Sequence, residues 1–111
     1  MDLSVRLTEA AEQDLDDIYT YIAYELLEPA AAQKLTSRIM DAAGKLAQFP
    51  LRYRQYEHEP WRTFGWRVMP VDNYIVFYVP PEEGEDIVFV TRIIHGSRDI
   101  PKRLIESSAE Q

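Results

Sequence analysis

The sequence predicts an α+β fold in which an N-terminal strand precedes an antiparallel helical hairpin packed on a curved antiparallel β-sheet (β-α-α-β-β-β). Two observations support this prediction. Apolar residues recur at three- and four-residue steps over the first half of the chain, and segments rich in Val, Ile, Phe and Tyr follow in the second half. At 111 residues, the chain is expected to form one domain over residues 1–104, followed by a polar C-terminal tail at 105–111.

The first half of the chain reads as one strand and two helices. "LSVRL", from Leu3 to Leu7, alternates apolar and polar residues, and Thr8 then offers a hydroxyl group to cap a helix. Pro29 ends the first helix and suits the first turn of the second, which should run to Pro50. The first helix is expected to bury an apolar stripe and to carry an acidic outer face formed by Glu12, Asp14, Asp16, Asp17 and Glu25.

The second half reads as an irregular connection at 51–64 followed by a β-meander. Strands are expected in "GWRVMPV", "YIVFYV" and "DIVFVTRII", the last two separated by the turn-forming "PPEEGE". Both alternating sets of the middle strand are apolar, so both faces of the sheet should be covered. The helices can cover one face. The 51–64 connection, sheet curvature or a partner chain could cover the other, and a sheet curled on itself without a partner fits equally well.

Composition narrows the classes of function. The chain has no cysteine, no basic and apolar leader and no run of about 18 apolar residues, so a cytoplasmic protein without a membrane span is expected. A net charge of −7 argues against nonspecific binding to nucleic acid, although the 52–67 and 92–103 segments are locally basic. No cofactor fingerprint or metal-ligand spacing is present, and His58, between two glutamates, is expected to be an exposed loop residue.

Two segments could carry function. Residues 52–67 interleave arginines with aromatic residues, a pattern typical of either base stacking or internal cation–π packing. The segment "VTRIIHGSRDIPKRL" turns from a strand into a basic end. Its His95 could transfer protons near neutral pH, or could simply be a strand-end histidine hydrogen-bonded to the backbone.

Four segments, in order, resemble the RelE/ParE toxins of bacterial type II toxin–antitoxin modules. They are "LTEAAEQDLDDIYTYI", "KLAQFPLRYRQY", "NYIVFYV" and "VTRIIHGSRDIPKRL", and together they extend over about Leu3 to Leu104. The resemblance implies a helical hairpin packed on a curved antiparallel sheet. It also implies the toxin component of a plasmid-stabilisation or addiction system, whose partner is a cognate antitoxin.

The family contains two unlike activities: RelE-type members cleave mRNA on the ribosome without a metal, and ParE-type members poison DNA gyrase by binding. The segments "DLDDIYTYI" and "RIIHGSRDIPKRL" resemble the ParE type more closely. On that interpretation no residue is catalytic, and the basic end supplies the target-binding candidates Arg92, His95, Arg98, Lys102 and Arg103.

Two alternatives stay open. A RelE-like ribonuclease, with ribosome and mRNA as partners, would use Arg67, His95 and Arg98, because "NYIVFY" lacks the arginine that such enzymes place on this strand. A degenerate member would retain only antitoxin binding.

Overall fold

The computed structural model describes residues 3–97 and 99–109, with side chains for 3–97 and 99–105. None of the helices in these ranges combines the length and the apolar composition that a membrane span requires. Helix α1 (Glu9–Thr20) continues into a π-helical turn at Tyr21–Glu25, and helix α2 (Pro29–Gly44) continues into a 3-10 turn at Lys45–Ala47. The elements in chain order are β1 (Ser4–Leu7), α1 (Glu9–Thr20), α2 (Pro29–Gly44), β2 (Arg67–Val71), β3 (Tyr74–Val79), β4 (Ile87–His95) and α3 (Ile100–Ala109).

The helical hairpin begins and turns where the sequence predicts. The Thr8 hydroxyl accepts a hydrogen bond from the Ala11 N–H at 3.2 Å, which caps α1, and Pro29 opens α2. Between the helices, Leu27 adopts a left-handed conformation with φ of 56°. A non-glycine residue rarely occupies this region, but here it allows a connection of only a few residues.

The sheet has the strand order β1-β4-β3-β2. The predicted β2-β3-β4 meander is antiparallel, which confirms the fold class. One correction is needed, because β1 pairs with β4 in parallel, so the sheet is mixed rather than purely antiparallel. Local alternation identifies a strand but carries no information about its direction relative to a partner far along the chain.

Both faces of the sheet are buried, as the apolar strands predict. On one face Val76, Tyr78 and Val90 pack with Ile18 and Ile39 of the hairpin. On the other, a second cluster joins Phe77 and Ile94 to residues of the connecting segment and of α3; its buried members are Tyr56, Trp61, Val68, Phe77, Ile94 and Leu104. Of the alternatives that the sequence leaves open for this face, the structure shows the 51–64 connection, and it adds α3, which was not among them.

A β-bulge at Thr91 sets which β4 side chains face the helices. Phe77 pairs with Arg92 and Tyr78 pairs with Val90, which leaves Thr91 as the extra residue. Its hydroxyl donates to the Phe77 carbonyl at 3.2 Å. Because the bulge shifts the alternation by one position, Ile93 joins Val90 on the helix face.

Helix α3 was not predicted. Asp99 initiates it by accepting from the Lys102 N–H at 3.3 Å, and Leu104 anchors it with 1% exposure in the second cluster. The helix continues to Ala109 and so crosses the boundary expected after Leu104.

Burial raises the pKa of the Tyr78 phenol above its ordinary value of 10.0, and its hydroxyl donates to the Pro50 carbonyl at 2.8 Å. Unfolded tyrosines ionise near pH 10 while Tyr78 in the fold stays protonated, so its contribution to stability is complete below that pH and is lost above it. Tyr78→Phe should cost about 1 kcal/mol at neutral pH and should reduce the further loss at alkaline pH.

Urea unfolding of wild type and Tyr78→Phe at about pH 8 and about pH 11 measures both effects. Tyr24→Phe is the control, since Tyr24 is 70% exposed. Equal alkaline losses in wild type and Tyr78→Phe would contradict the prediction.

Candidate functional site

A cleft of about 400 Å³ lies where α1, the paired ends of β3 and β4, and α3 meet. Helix α1 and its π-helical turn form one wall, and the β4 end with α3 forms the opposite wall. The residues that give the cleft its chemistry are Asp14, Asp17, Tyr21, Tyr74, His95, Ser97 and Arg103.

The floor of the cleft is fixed by the Asp14 carboxylate. It accepts from Arg92 Nε at 2.7 Å, from Arg92 Nη2 at 3.0 Å and from the Ile93 backbone N–H at 2.9 Å. Strand β1 pairs with β4 only as far as Val90, so among the described residues no strand covers this edge of β4 at Ile93. Asp14 therefore caps the open edge of β4 and neutralises a buried guanidinium at the same time.

The contact of Asp14 with Arg92 and Ile93, here called the Asp14 junction, corrects two expectations. Arg92 was expected on a docking surface but is 8% exposed and bonded to Asp14, so its charge is used inside the protein. Asp14 was expected on the acidic outer face of α1 but has a side chain only 12% exposed. Both residues look like surface residues in local sequence, and only the tertiary structure brings them together.

His95 lies at the end of β4 with its ring edge-on to Tyr74, the ring centroids 5.0 Å apart. Its Nδ1 accepts the Ser97 backbone N–H at 3.1 Å and also contacts the Ser97 hydroxyl. Because a backbone N–H can only donate, the neutral ring carries its proton on Nε2. The simpler expectation, a strand-end histidine hydrogen-bonded to the backbone, is confirmed.

Two further residues of the basic end lie close to His95 in the structure. Arg103 of α3 lines the same cleft, and Lys102 is exposed beside it on α3. Arg98, a candidate in both functional hypotheses, lies outside the described residues. Three of the four candidates with described positions, His95, Lys102 and Arg103, thus lie in or beside this cleft.

Arg67 lies elsewhere. It pairs with Tyr78 on β3, whereas His95 pairs with Tyr74, so the two positions are about 13 Å apart along the strand direction. The Arg67 guanidinium is held by the carbonyl of Tyr53 at 2.6 Å and faces that of Leu51 at 3.4 Å. The structure therefore does not bring Arg67 and His95 together.

The interleaved segment 52–67 is largely internal packing. Tyr56 and Trp61 are 6% and 5% exposed, and Arg52 stacks over the Tyr53 ring at 5.5 Å. His58 is an exposed loop residue, as expected. Within residues 3–97 and 99–109 no three acidic or histidine side chains converge as metal ligands would.

The cleft presents charges of both signs to a ligand. Asp17, oriented by a hydrogen bond from Gln13 Nε2 at 2.8 Å, faces a wall that carries Arg103 and His95. Tyr21, half exposed, adds an aromatic surface at the rim. A ligand in this cleft would therefore meet a carboxylate on one wall and a guanidinium on the other. Sequence reasoning missed Asp17, Tyr21 and Tyr74 because α1 and the end of β3 have no local signal that they share a cleft with β4.

The sequence matches, over residues 5–100, the profile of the family described as "ParE toxin of type II toxin-antitoxin system, parDE". The chain belongs to this toxin family. Its fold is similar to a structure of the chromosomal ParDE toxin–antitoxin system from P. aeruginosa, with 22% identity, a TM-score of 0.67, and coverage of 84% of this chain and 95% of the other. It is also similar to the toxin–antitoxin complex RelBE2 from Mycobacterium tuberculosis, with 20% identity, a TM-score of 0.63, and coverage of 86% and 99%. No curated protein sequence gives a significant match.

Removing the Asp14 carboxylate should destabilise this toxin strongly, because Arg92 would keep a buried charge and Ile93 a buried N–H without a partner. Asp14→Ala is expected to lower the free energy of unfolding by about 3 kcal/mol. Asp16→Ala, an exposed neighbour on the same helix, should change it by less than about 0.5 kcal/mol. Urea unfolding monitored by circular dichroism measures both, and equal losses would show that the junction carries no special stability.

Proposed function

We propose that this ParE-family toxin acts by binding DNA gyrase rather than by cleaving RNA. The observation that carries the proposal is the separation of Arg67 from His95. A ribonuclease of the RelE type needs a proton-transfer group and cations around a single phosphate. Here the Arg67 guanidinium is bonded to loop carbonyls at the other end of the strands from His95.

Charge supports the same conclusion. The chain carries a net charge of −7, which disfavours docking on ribosomal RNA through many phosphate contacts. Its exposed cations beside the cleft, Lys102 and Arg103, are few and project from a helix that a protein surface could contact directly. The proposed docking element is therefore the cleft end of the molecule, formed by His95, Lys102 and Arg103, with Arg98 as a further candidate from the sequence.

The partner that neutralises the toxin is proposed to be an antitoxin encoded in the same module. Both similar structures are described as toxin–antitoxin systems, which supports this assignment. Action on gyrase would place the chain in the cytoplasm, and a plasmid-stabilising module would be one setting for it.

A gel assay with purified gyrase, supercoiled plasmid and ATP tests the proposal. The antitoxin-free toxin should trap cleaved plasmid and abolish supercoiling. Lys102→Ala/Arg103→Ala should require about tenfold more protein for the same effect, because binding surfaces lose affinity in steps of this order. Lys34→Ala/Arg62→Ala, which removes the same charge from other exposed positions, should behave like wild type.

The competing activities give different results. A ribonuclease would leave gyrase unaffected, would cut mRNA in a reconstituted translation reaction, and would lose orders of magnitude in rate on His95→Ala. A folded protein inactive in both assays would be a degenerate toxin. Either result would overturn the gyrase proposal.

A further inference from the structure

The outer side of α2 carries unpaired charges of both signs at a regular spacing. Lys34 and Asp41 are exposed, and neither forms an ion pair with another described residue. About seven residues make two turns of a helix, so both side chains lie on the same side of α2, opposite the buried Ala32 and Ile39. They are about 10 Å apart along the helix axis, which is too far for them to pair with each other.

The end of the π-helical turn and the connection after it, residues 24–28, expose apolar side chains and carboxylates together. We call this segment the hairpin tip. Its apolar side chains are Tyr24, Leu26 and Leu27, exposed by 70%, 51% and 80%, and its carboxylates are those of Glu25 and Glu28. Leu27 holds a left-handed conformation in which glycine would be less strained, and its side chain is barely buried. The fold alone therefore gives no reason for a leucine at this position.

The other end of α2 leads to a loop that combines apolar side chains with the opposite charge. Phe49 and Leu51 are 63% and 65% exposed and line a hollow of about 640 Å³ at residues 48–52, here called the Phe49 loop. Lys45 and Arg52 are exposed beside them and form no ion pair with a described residue. The 16 residues of α2 separate this loop from the hairpin tip by about 24 Å, so the two segments of one copy cannot meet.

The surface formed by the hairpin tip, α2 and the Phe49 loop is complementary to a second copy of itself. Residues 24–52 contain four Lys or Arg residues and three carboxylates, so two copies can meet here although the whole chain carries a charge of −7. Asp72, which lies next to this surface, already has its carboxylate held by Arg38 at 2.7 Å.

We propose that two copies of this chain form a two-fold dimer in which their α2 helices pack antiparallel and cross near Ser37 and Arg38. Lys34 of each copy then faces Asp41 of the other, and the hairpin tip of each copy meets the Phe49 loop of the other. Two-fold symmetry makes each contact occur twice. The carboxylates of the hairpin tip thereby approach the cations beside the Phe49 loop, and every carboxylate of the surface is near a cation.

This dimer goes beyond the proposed function and does not compete with it. The described residues that line the cleft belong to α1, its π-helical turn, β3, β4 and the chain after β4, and none belongs to α2. Packing through α2 leaves the cleft of each copy uncovered.

Sedimentation velocity of the full-length, antitoxin-free chain tests the dimer. Between about 1 μM and about 1 mM, the mass should rise reversibly from the 13.0 kDa of one chain to twice that value. A chain that is still monomeric at about 1 mM would overturn the inference, because even weak specific contacts form at that concentration.

Charge reversal tests the contact between the two α2 helices. Lys34→Glu and Asp41→Lys, each alone, should raise the dissociation constant of the dimer at least about tenfold, because each places like charges face to face twice. The double variant Lys34→Glu/Asp41→Lys exchanges the two charges and should return the constant to within about threefold of wild type. Asp16→Lys and Arg62→Glu, at exposed positions outside the surface, should stay within about threefold as well.

The apolar contacts give a signature that depends on each hairpin tip meeting a Phe49 loop. Leu26→Ser/Leu27→Ser and Phe49→Ser/Leu51→Ser should each weaken the dimer about 100-fold, whereas Phe64→Ser, 60% exposed elsewhere, should weaken it less than about threefold. An equimolar mixture of the two weakened variants should dimerise more tightly than either alone, because the mixed dimer keeps one complete contact of tip and loop. Circular dichroism and urea midpoints verify that each variant keeps the wild-type fold.

Two further results would contradict the arrangement. A dimer that the single charge reversals leave intact, or that the double variant does not restore, would use another surface. A mass that keeps growing beyond two copies would indicate an open head-to-tail chain instead of a two-fold dimer. Neither result bears on the gyrase assay, which compares variants of the cleft end.

Discussion

One carboxylate at the open edge of β4 determines how this toxin is assembled. Strand β1 stops at Leu7, and beyond Val90 no described strand pairs with this edge of β4. Asp14 takes that place through three hydrogen bonds to Arg92 and Ile93, and so fixes α1 against the sheet. Together with the bulge at Thr91, this sets which β4 side chains meet the hairpin and directs His95 toward the cleft.

The sequence allowed much of this fold to be predicted, because the relevant signals are local. A hydroxyl before an apolar stripe, a proline at a helix start and two apolar sets in one strand each depend on a few neighbouring residues. The Asp14–Arg92 pair joins residues 78 positions apart, so its members resemble ordinary surface charges in any local window. The parallel direction of β1 is equally nonlocal. Helix α3 does have a local signal, in Asp99 and Pro101, but its apolar pattern is too short to distinguish a helix from the irregular end of a basic segment.

The residues of the candidate site also differ in whether local sequence is enough to identify them. His95, Lys102 and Arg103 could be chosen from the sequence because the basic end is contiguous, and the structure keeps them at one end of the molecule. Arg92 could not be excluded without knowing its partner, and Arg67 could not be separated from His95 without the strand register. The register separates Arg67 from His95, and this separation is the observation on which the proposal of binding rather than hydrolysis rests.

Gyrase binding through the cleft end is the central claim, and amide hydrogen exchange of the toxin with and without gyrase tests it most directly. The account predicts slower exchange around His95, Ser97 and residues 100–105 on adding gyrase, with unchanged exchange in α2 and at residues 48–52. Slowing confined to α2 and residues 48–52, or none at saturating gyrase, would contradict it.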